Sequence, residues 1–175
     1  DAPKNAKPVG KTTAAKAAPK TPANEATGSY SFISGFQNAV TVEMTLRYDA
    51  DRFSFDVVEE DFLSYSSDSH VAILAGEDFS LQFEYAALYS GEDFEAHTKA
   101  VREKHSDLAP VSYGDNHGIL YYEGDNVCFS FPVDTHSYML VTAVKAQGND
   151  DELSALPEYE DMKAILGCLH FTVVG

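Results

Sequence analysis

Histidine is the first residue type to consider for chemistry, because its side chain acts as an acid, a base or a metal ligand near neutral pH. The chain contains six: His70, His97, His105, His117, His136 and His170. His97 and His105 share a predicted helix, but their spacing places them about 12 Å apart along its axis, which is too far for one metal ion. No H-x-x-x-H or H-E-x-x-H pattern occurs. Pairing of a histidine with a serine or cysteine nucleophile would need a convergence in space that the sequence does not specify.

Other catalytic signatures are missing from the sequence. There is no G-x-S-x-G nucleophile elbow, and "GKTT" at Gly10 lacks the preceding glycine of a phosphate-binding loop. A pair of carboxylates for glycoside hydrolysis usually comes with aromatic sugar platforms, often tryptophan, and this chain has no Trp. We therefore predict that the protein is not an enzyme, with no catalytic residue and no cofactor.

Acidic residues form three clusters that offer oxygen ligands of the kind that calcium prefers. They are Asp49 with Asp51 and Asp56, then Glu59 with Glu60 and Asp61, then Asp150 with Asp151 and Glu152. None follows the D-x-[DN]-x-[DN]-G calcium loop, and solvated turns explain the same residues. The metal content is therefore unknown from the sequence, and a small-ligand or calcium-binding module that uses these acidic turns is the alternative function.

Tyrosines suggest a protein-binding surface. Several lie on predicted strands and their turns: Tyr85, Tyr89, Tyr113, Tyr121, Tyr122 and Tyr138. They fit either packing at the edge of the core or a surface patch, since tyrosine is enriched in protein interfaces. Polar residues at alternate positions, Gln82, Glu84 and Ser130, suggest that one face of the sheet is less completely covered. The predicted partner-binding residues are Gln82, Glu84, Tyr85, Tyr89, Tyr121 and Tyr122.

The charge is strongly uneven along the chain. Residues 1–28 carry five lysines against two acids, so the remainder has a balance of −19 within the total of −16. Such a domain repels phosphate backbones and anionic lipid, which argues against nucleic acid and against direct membrane docking. Solubility explains the acidity, as does a specific cationic partner. We expect the partner to be a protein.

A composition shift divides the chain in two. Residues 1–28 are rich in Lys, Ala, Pro and Thr and contain no aromatic residue, so we read them as a flexible linker ahead of a single domain at 29–175. Such a tether often joins a lipidated N-terminal cysteine to an exported domain, which predicts an extracytoplasmic protein held to the membrane only by a lipid anchor outside this chain. An interdomain linker or an artificial one explains the same letters.

Periodicity predicts the secondary structure. Alternating or continuous apolar residues indicate strands at 41–48, 52–58, 70–76, 79–86, 119–122, 127–134 and 137–146. The first two are predicted to form a hairpin around "DAD", and the last three a meander after turn residues 114–118. Helices are predicted at 92–105, with Ser90 as N-cap and Pro110 beyond its end, and at 158–171. Because Pro132 lacks an amide donor, its strand should lie at an edge or end there.

This order predicts an α+β fold, with an antiparallel sheet of about six to seven strands sandwiched by helices. The two apolar helix stripes are Phe94, Val101 and Leu108 in the first helix, and Tyr159, Met162, Ile165, Leu166 and Leu169 in the second. Cys128 and Cys168 are far apart and in apolar surroundings, which fits two buried thiols or, in an exported protein, a disulfide.

The pattern resembles the PsbP-like family, which includes Ran-binding Mog-type proteins and bacterial lipoproteins of unknown role. The resemblance is carried by "RFSFDVV", "FSLQFEYA" before an acid-capped helix, "GILYYEGD" with "VCFSFPVD", "SYMLVTAVKA" and the last helix "EYEDMKAILGCLHF". Many members have Pro and Trp after the first of these strands, whereas "VVEEDFLSY" has neither. The resemblance implies a sheet sandwiched by helices and a non-catalytic binding or adaptor role, and it transfers no functional residue.

Overall fold

Two antiparallel sheets and two α-helices form the domain. The computed structural model describes residues 24–33, 41–59, 70–88, 91–148 and 151–174. Strands β1 (Glu25–Ile33), β2 (Thr41–Asp49) and β10 (His170–Val174) form a three-stranded sheet in the order β1-β2-β10. The seven-stranded sheet has the order β3-β4-β5-β9-β8-β7-β6. The fold is therefore α+β and mostly sheet, as the sequence predicts at that level.

Seven strands form the larger sheet. Its strands are β3 (Ser54–Glu59), β4 (His70–Ala75), β5 (Phe79–Ala87), β6 (Ala109–Tyr113), β7 (Asn116–Glu123), β8 (Asn126–Asp134) and β9 (Ser137–Lys145). The helices are α1 (Phe94–Lys104) and α2 (Tyr159–Gly167), and a short 3-10 helix covers Leu153–Ala155. No helix in these described ranges is long and apolar enough to cross a bilayer. The predicted meander is confirmed, because β7, β8 and β9 are neighbours in the sheet.

One face of the larger sheet makes the main core. Apolar residues at alternate positions of its strands, such as Leu81, Phe83 and Phe129, are fully buried against the small sheet and α2. In α2 the buried residues include Met162 and Leu166, so the predicted apolar stripe is confirmed there. Burying these side chains is the principal stabilising term, because each contributes about 1.5–3 kcal/mol.

The opposite face of the larger sheet carries α1 and a smaller apolar cluster. The predicted apolar stripe packs against the buried side chains of Ile119, Tyr121 and Cys128. The stripe residues are Phe94, Val101 and Leu108. The N-cap of α1 is Asp93, whose side chain accepts a hydrogen bond from the Ala96 amide, whereas Ser90 lies outside the described residues. α1 contains no fully buried residue.

The predicted hairpin of the strands at 41–48 and 52–58 is wrong. β2 pairs with β1 on one side and β10 on the other, so both of its edges are occupied, and β3 pairs with β4 in the other sheet. The amides of Arg52 and Phe53 donate to the Asp49 carbonyl in the turn between β2 and β3. That turn carries the chain from one sheet to the other, which a local alternating pattern does not reveal.

The two ends of the domain differ from the sequence-based expectation. β1 begins at Glu25 and so includes the last four residues of the predicted linker, held by antiparallel pairing along the whole of β2. The second helix was predicted to reach residue 171, but α2 ends at Gly167 and the chain continues as β10. Edge pairing with β2 overrides the helical pattern there, because tertiary context outweighs local propensity.

Three local expectations are also corrected. The predicted turn at 114–118 is only the two residues between β6 and β7, and Pro110 lies in β6, an edge strand that tolerates proline. β8 is a central strand despite Pro132, because the ladder to β9 has an irregularity between Pro132 and Asp134. Of the two cysteines, which are both free, Cys128 is buried as expected but Cys168 is exposed at the end of α2.

Candidate functional site

The predicted partner-binding residues separate onto two faces of the larger sheet. Side chains alternate along a strand, so the neighbours Tyr121 and Tyr122 point to opposite faces. The cross-strand pairs Glu84 with Leu140 and Gln82 with Thr142 place those two residues on the α1 face. Tyr85 packs against the main core instead, and Tyr89 lies outside the described residues. The structure therefore does not gather these residues into one patch.

Polar side chains of the α1 face form a group joined by hydrogen bonds and ring stacking, which we call the α1 network: His97, Tyr121, Cys128, Ser130 and Tyr138. His97 Nε2 lies 3.3 Å from Ser130 Oγ, and the His97 ring stacks on Tyr138 with centroids 4.0 Å apart. Tyr121 lies opposite Cys128 in the register of β7 and β8 and hydrogen-bonds Ser130. Ser130 is fully buried in the middle of this group.

Burial shifts the pKa of each titratable member of the α1 network toward its neutral form. Desolvation lowers the pKa of His97. It raises the pKa of Tyr121 to about 12, with a further contribution from Cys128. Desolvation likewise raises the pKa of Cys128, and that of Tyr138 with help from the Glu84 charge. At neutral pH the whole group is uncharged, as expected for a set of buried polar residues that satisfy one another.

A serine beside a neutral imidazole has the residue types of a nucleophile and its general base. A substrate has no access to this pair in the structure, because Ser130 has no exposed surface and α1 covers it. Cys128 is a buried thiol with a raised pKa, the opposite of the reactive cysteine of a redox enzyme. The sequence singled out Ser130 only as a polar position, and its pairing with His97 depends on how α1 packs.

A second group surrounds the exposed side of β7, and we call it the tyrosine pocket. It is a concavity of about 260 Å³ between the turn that joins β7 to β8, the 3-10 helix and the start of α2. Its aromatic walls are Tyr122 and Tyr159, and its polar rim comprises Asp125, Lys145 and Glu152. Tyr122 is 46% exposed. The other large apolar side chains that are exposed in the described residues are all valines.

Local structure explains why the tyrosine pocket is open. Gly124 adopts a φ of +63° and lets β7 and β8 join through a tight turn that lines the pocket. Leu153 is buried below the pocket and fixes the 3-10 helix, while Lys145 Nζ donates to the Asp151 carbonyl at 2.8 Å. The sequence pattern predicts Tyr122 but not Tyr159 as a partner-binding residue, because helical spacing assigns Tyr159 to the buried stripe of its helix.

A cation already contacts one wall of the tyrosine pocket. Lys163 Nζ lies 5.3 Å from the centroid of the Tyr159 ring, within the range of cation–π attraction. Desolvation raises the pKa of Tyr159, and the positive charge of Lys163 opposes that shift. Lys163 itself does not line the pocket, so this contact shows only that the Tyr159 ring attracts a cation.

Another concavity, of about 650 Å³, lies at the turns of β2–β3 and β4–β5. Its central group is Glu158, 3% exposed, whose carboxylate accepts hydrogen bonds from the amides of Glu77 at 3.3 Å and Asp78 at 3.0 Å. Arg52 Nη2 lies 4.0 Å from Glu158 Oε1, and Arg52 Nη1 forms an ion pair with Asp161 Oδ2 at 2.7 Å. These contacts join the β4–β5 turn to α2, so we assign this carboxylate to the fold.

The candidate calcium clusters gain no support from the described part of the chain. Asp49 Oδ1 accepts a hydrogen bond from the Asp51 amide, as in a solvated turn. No group of three or more His, Cys, Asp or Glu side chains there has the geometry to hold a metal ion. Glu60, Asp61 and Asp150 lie outside the described residues, as does the side chain of Glu59.

Comparison with known proteins gave no match to any family model, curated protein or solved structure. The class that the coordinates define is an α+β domain with a seven-stranded and a three-stranded antiparallel sheet. Likeness to the PsbP-like family remains a prediction from the sequence pattern.

Proposed function

We propose that this chain is a non-catalytic binding domain whose tyrosine pocket takes a basic segment of a partner protein. The observation that carries the proposal is Tyr122, which exposes 46% of its surface at a pocket whose second wall, Tyr159, already attracts a lysine. Exposed aromatic side chains beside a concavity are typical of interface anchors.

Charge favours a cationic partner. The chain has a net charge of −16, and the pocket rim carries two carboxylates, Asp125 and Glu152, against the single ammonium of Lys145. A long-range negative field speeds the encounter with a basic segment and repels polyanions such as nucleic acid. A lysine or arginine side chain that reaches Tyr122 gains cation–π attraction of about 0.5–2 kcal/mol.

A binding role without catalysis is supported by the burial of the α1 network. The residues that resemble a nucleophile and its base, Ser130 and His97, use their polar atoms to satisfy each other below α1. A group buried in this way stabilises the fold, and turnover would require it to meet a substrate. Calcium binding has no comparable geometric support in the described residues.

We extend the proposal to fold family and location. The seven-stranded sheet with α1 on one face and α2 on the other is compatible with a PsbP-like sandwich, to which the three-stranded sheet would be an addition. The Lys, Ala, Pro and Thr composition of residues 1–28 supports a tether to a lipidated N-terminus outside the cytoplasm. Cleavage of the natural protein by protease added to intact cells tests this location, and full protection contradicts it.

Binding of a fluorescent synthetic peptide of alternating lysine and glycine, measured by anisotropy, tests the pocket. A peptide with glutamate in place of lysine serves as the negative control. Tyr122→Ser should weaken binding of the lysine peptide by about fivefold, the equivalent of about 1 kcal/mol of cation–π attraction. Tyr122→Phe keeps the aromatic face and should bind as the parent does.

A matched pair of charge variants separates the pocket from the general acidity. Asp125→Asn removes one charge at the pocket rim, and Asp56→Asn removes one charge from an exposed position on β3. We expect the first to weaken binding by several-fold more than the second. Equal effects of the two, or unchanged binding by Tyr122→Ser, would show that the peptide does not use the pocket.

A further inference from the structure

The tyrosine pocket has carbon surfaces on its walls and on its floor. The rings of Tyr122 and Tyr159 form the walls. The floor consists of Val127 and Leu153, which are both buried and belong to the main core. A group that enters the pocket therefore meets mainly apolar surface and aromatic rings.

The two aromatic walls are close to each other. Both rings line one concavity of about 260 Å³. Desolvation raises the pKa of Tyr159, and the neighbouring Tyr122 hydroxyl contributes to that shift in the same direction. Because Lys163 contacts the Tyr159 ring without lining this concavity, it does not fill the space between the two tyrosines.

The size of the tyrosine pocket limits what it can hold. Sites for drug-sized ligands are typically about 300–1,000 Å³ and bury most of the ligand surface. The tyrosine pocket is smaller than this range, and Tyr122 in its wall is 46% exposed. It therefore suits the end of one side chain, whose flanking residues bind outside the pocket, better than a free small molecule.

The charged groups of the tyrosine pocket lie at its rim. Asp125 and Glu152 are both exposed, so a direct ion pair with either carboxylate is weak. The third charged group, Lys145, donates to the Asp151 carbonyl oxygen, and the two acids outnumber it. The rim therefore attracts cations in general, and the walls and floor decide which kind of cation binds well.

Methylation changes how well an ammonium group suits such a pocket. A primary ammonium has three N–H donors, and inside the pocket it exchanges water for ring faces and aliphatic side chains, which leaves donors unpaired. A trimethylammonium group keeps the positive charge but has no N–H donor. Cation–π attraction is stronger for a desolvated cation, and quaternary ammonium groups are the ligands that aromatic sites of this kind recognise.

We propose that the tyrosine pocket recognises a trimethylated lysine in the basic segment of the partner, with the methyl groups against Tyr122 and Tyr159. This inference rests on the proposed function and adds the chemical form of the lysine that enters the pocket. The rim carboxylates, Asp125 and Glu152, attract the other lysines of the same segment.

Three fluorescent peptides that differ in one central side chain test the proposal on the full chain. All have the alternating lysine and glycine sequence. The central residue is lysine, trimethyllysine, or the neutral analogue of trimethyllysine in which a tert-butyl group replaces the trimethylammonium. Anisotropy should show that the trimethyllysine peptide binds about fivefold or more tightly than the other two, because only this peptide brings a charge without N–H donors.

Variants of the chain assign the preference to the pocket. Tyr122→Ser should remove the difference between the trimethyllysine and lysine peptides, whereas Tyr122→Phe should keep it. Val173→Ser is the matched control, because it removes an exposed apolar side chain from β10 in the other sheet. This control should bind all three peptides as the parent protein does.

Competition with free choline distinguishes a side chain from a small molecule as the source of the quaternary ammonium group. Choline makes none of the flanking contacts, so it should displace the trimethyllysine peptide only at concentrations at least about tenfold above those of the unlabelled peptide. Displacement by choline at concentrations equal to those of the peptide would overturn the assignment to a side chain of a partner protein.

Failure of this proposal is distinguishable from failure of the proposed function. If the lysine peptide depends on Tyr122 but trimethylation does not strengthen its binding, the pocket still takes a basic segment and only the trimethyllysine proposal is overturned. The same holds if the neutral analogue binds as tightly as the trimethyllysine peptide, because shape rather than charge would then determine binding. If Tyr122→Ser binds every peptide as the parent protein does, both proposals fail.

Discussion

Replacing Tyr121 with serine removes a side chain that is 8% exposed below α1 and hydrogen-bonded to Ser130. Truncation of a buried aromatic residue costs about 3–5 kcal/mol, including the cavity that remains. Replacing the adjacent Tyr122, 46% exposed, removes a ring that is only partly buried, so the expected cost is about 1 kcal/mol. Two neighbours of the same residue type should thus differ by at least about 2 kcal/mol in their contribution to stability.

Urea denaturation followed by circular dichroism measures this difference. With a slope of about 2 kcal/mol per molar urea, Tyr121→Ser should lower the midpoint by about 1.5 M or more and Tyr122→Ser by about 0.5 M. Tyr121→Phe serves as a control that removes only the hydroxyl, with an expected cost of about 1 kcal/mol. Equal losses in the two serine variants, or a larger loss for Tyr122→Ser, would refute the assignment of the two side chains to opposite faces.

Three further predictions concern the fold. Gly118→Ala would place a Cβ 2.0 Å from the Ser130 carbonyl oxygen and should cost about 4 kcal/mol or more in urea denaturation, whereas Gly124→Ala meets only open space and should cost about 1–2 kcal/mol for its positive φ. Glu158→Ala leaves two backbone amides of the β4–β5 turn without their carboxylate acceptor and should lower the free energy of unfolding by about 2–3 kcal/mol; a loss below about 0.5 kcal/mol contradicts the assigned role. Burial raises the pKa of Tyr121 to about 12, so the Tyr121 hydroxyl loses its proton at a lower pH in the unfolded chain than in the folded one. The free energy of unfolding should therefore fall as the pH rises from about 10 to 12. Tyr121→Phe should reduce that fall, measured by urea titrations at each pH.

The strands and helices of the larger sheet were predictable because their signals are local. Residues 79–86 alternate in polarity and form β5, and the acid-rich start and apolar stripe of residues 92–105 gave α1 within two residues at its start and one at its end. The meander of β7, β8 and β9 followed from short turns, which require neighbouring strands to pair.

The division into two sheets was not predictable in this way. β2 and β3 are separated by a short turn and both alternate, yet their partners are β1, β10 and β4. Pairing with strands far along the chain depends on which faces are buried in the folded domain, and local patterns do not encode it. The conversion of residues 170 and 171 from predicted helix to the start of β10 has the same cause.

The site was predictable only in part. The sequence predicts Tyr122 as a partner-binding residue because tyrosine on a strand next to a turn is a common interface residue, and this stays a prediction; the same reasoning includes Tyr121, although alternation places it under α1. The contact of His97 with Ser130 joins a helix to a strand 33 residues away, and it depends on how α1 packs on the sheet. Spacing along the chain does not determine such a contact.

The most direct test of the central claim is nuclear magnetic resonance mapping of the lysine and glycine peptide on the isotope-labelled full chain. The account predicts shift changes that saturate together at Tyr122, Asp125, Glu152 and Tyr159, with an unchanged α1 face at neutral pH. Changes centred elsewhere on the domain, or changes of the same pattern in Tyr122→Ser, would contradict the proposal that this protein binds a basic partner through the tyrosine pocket.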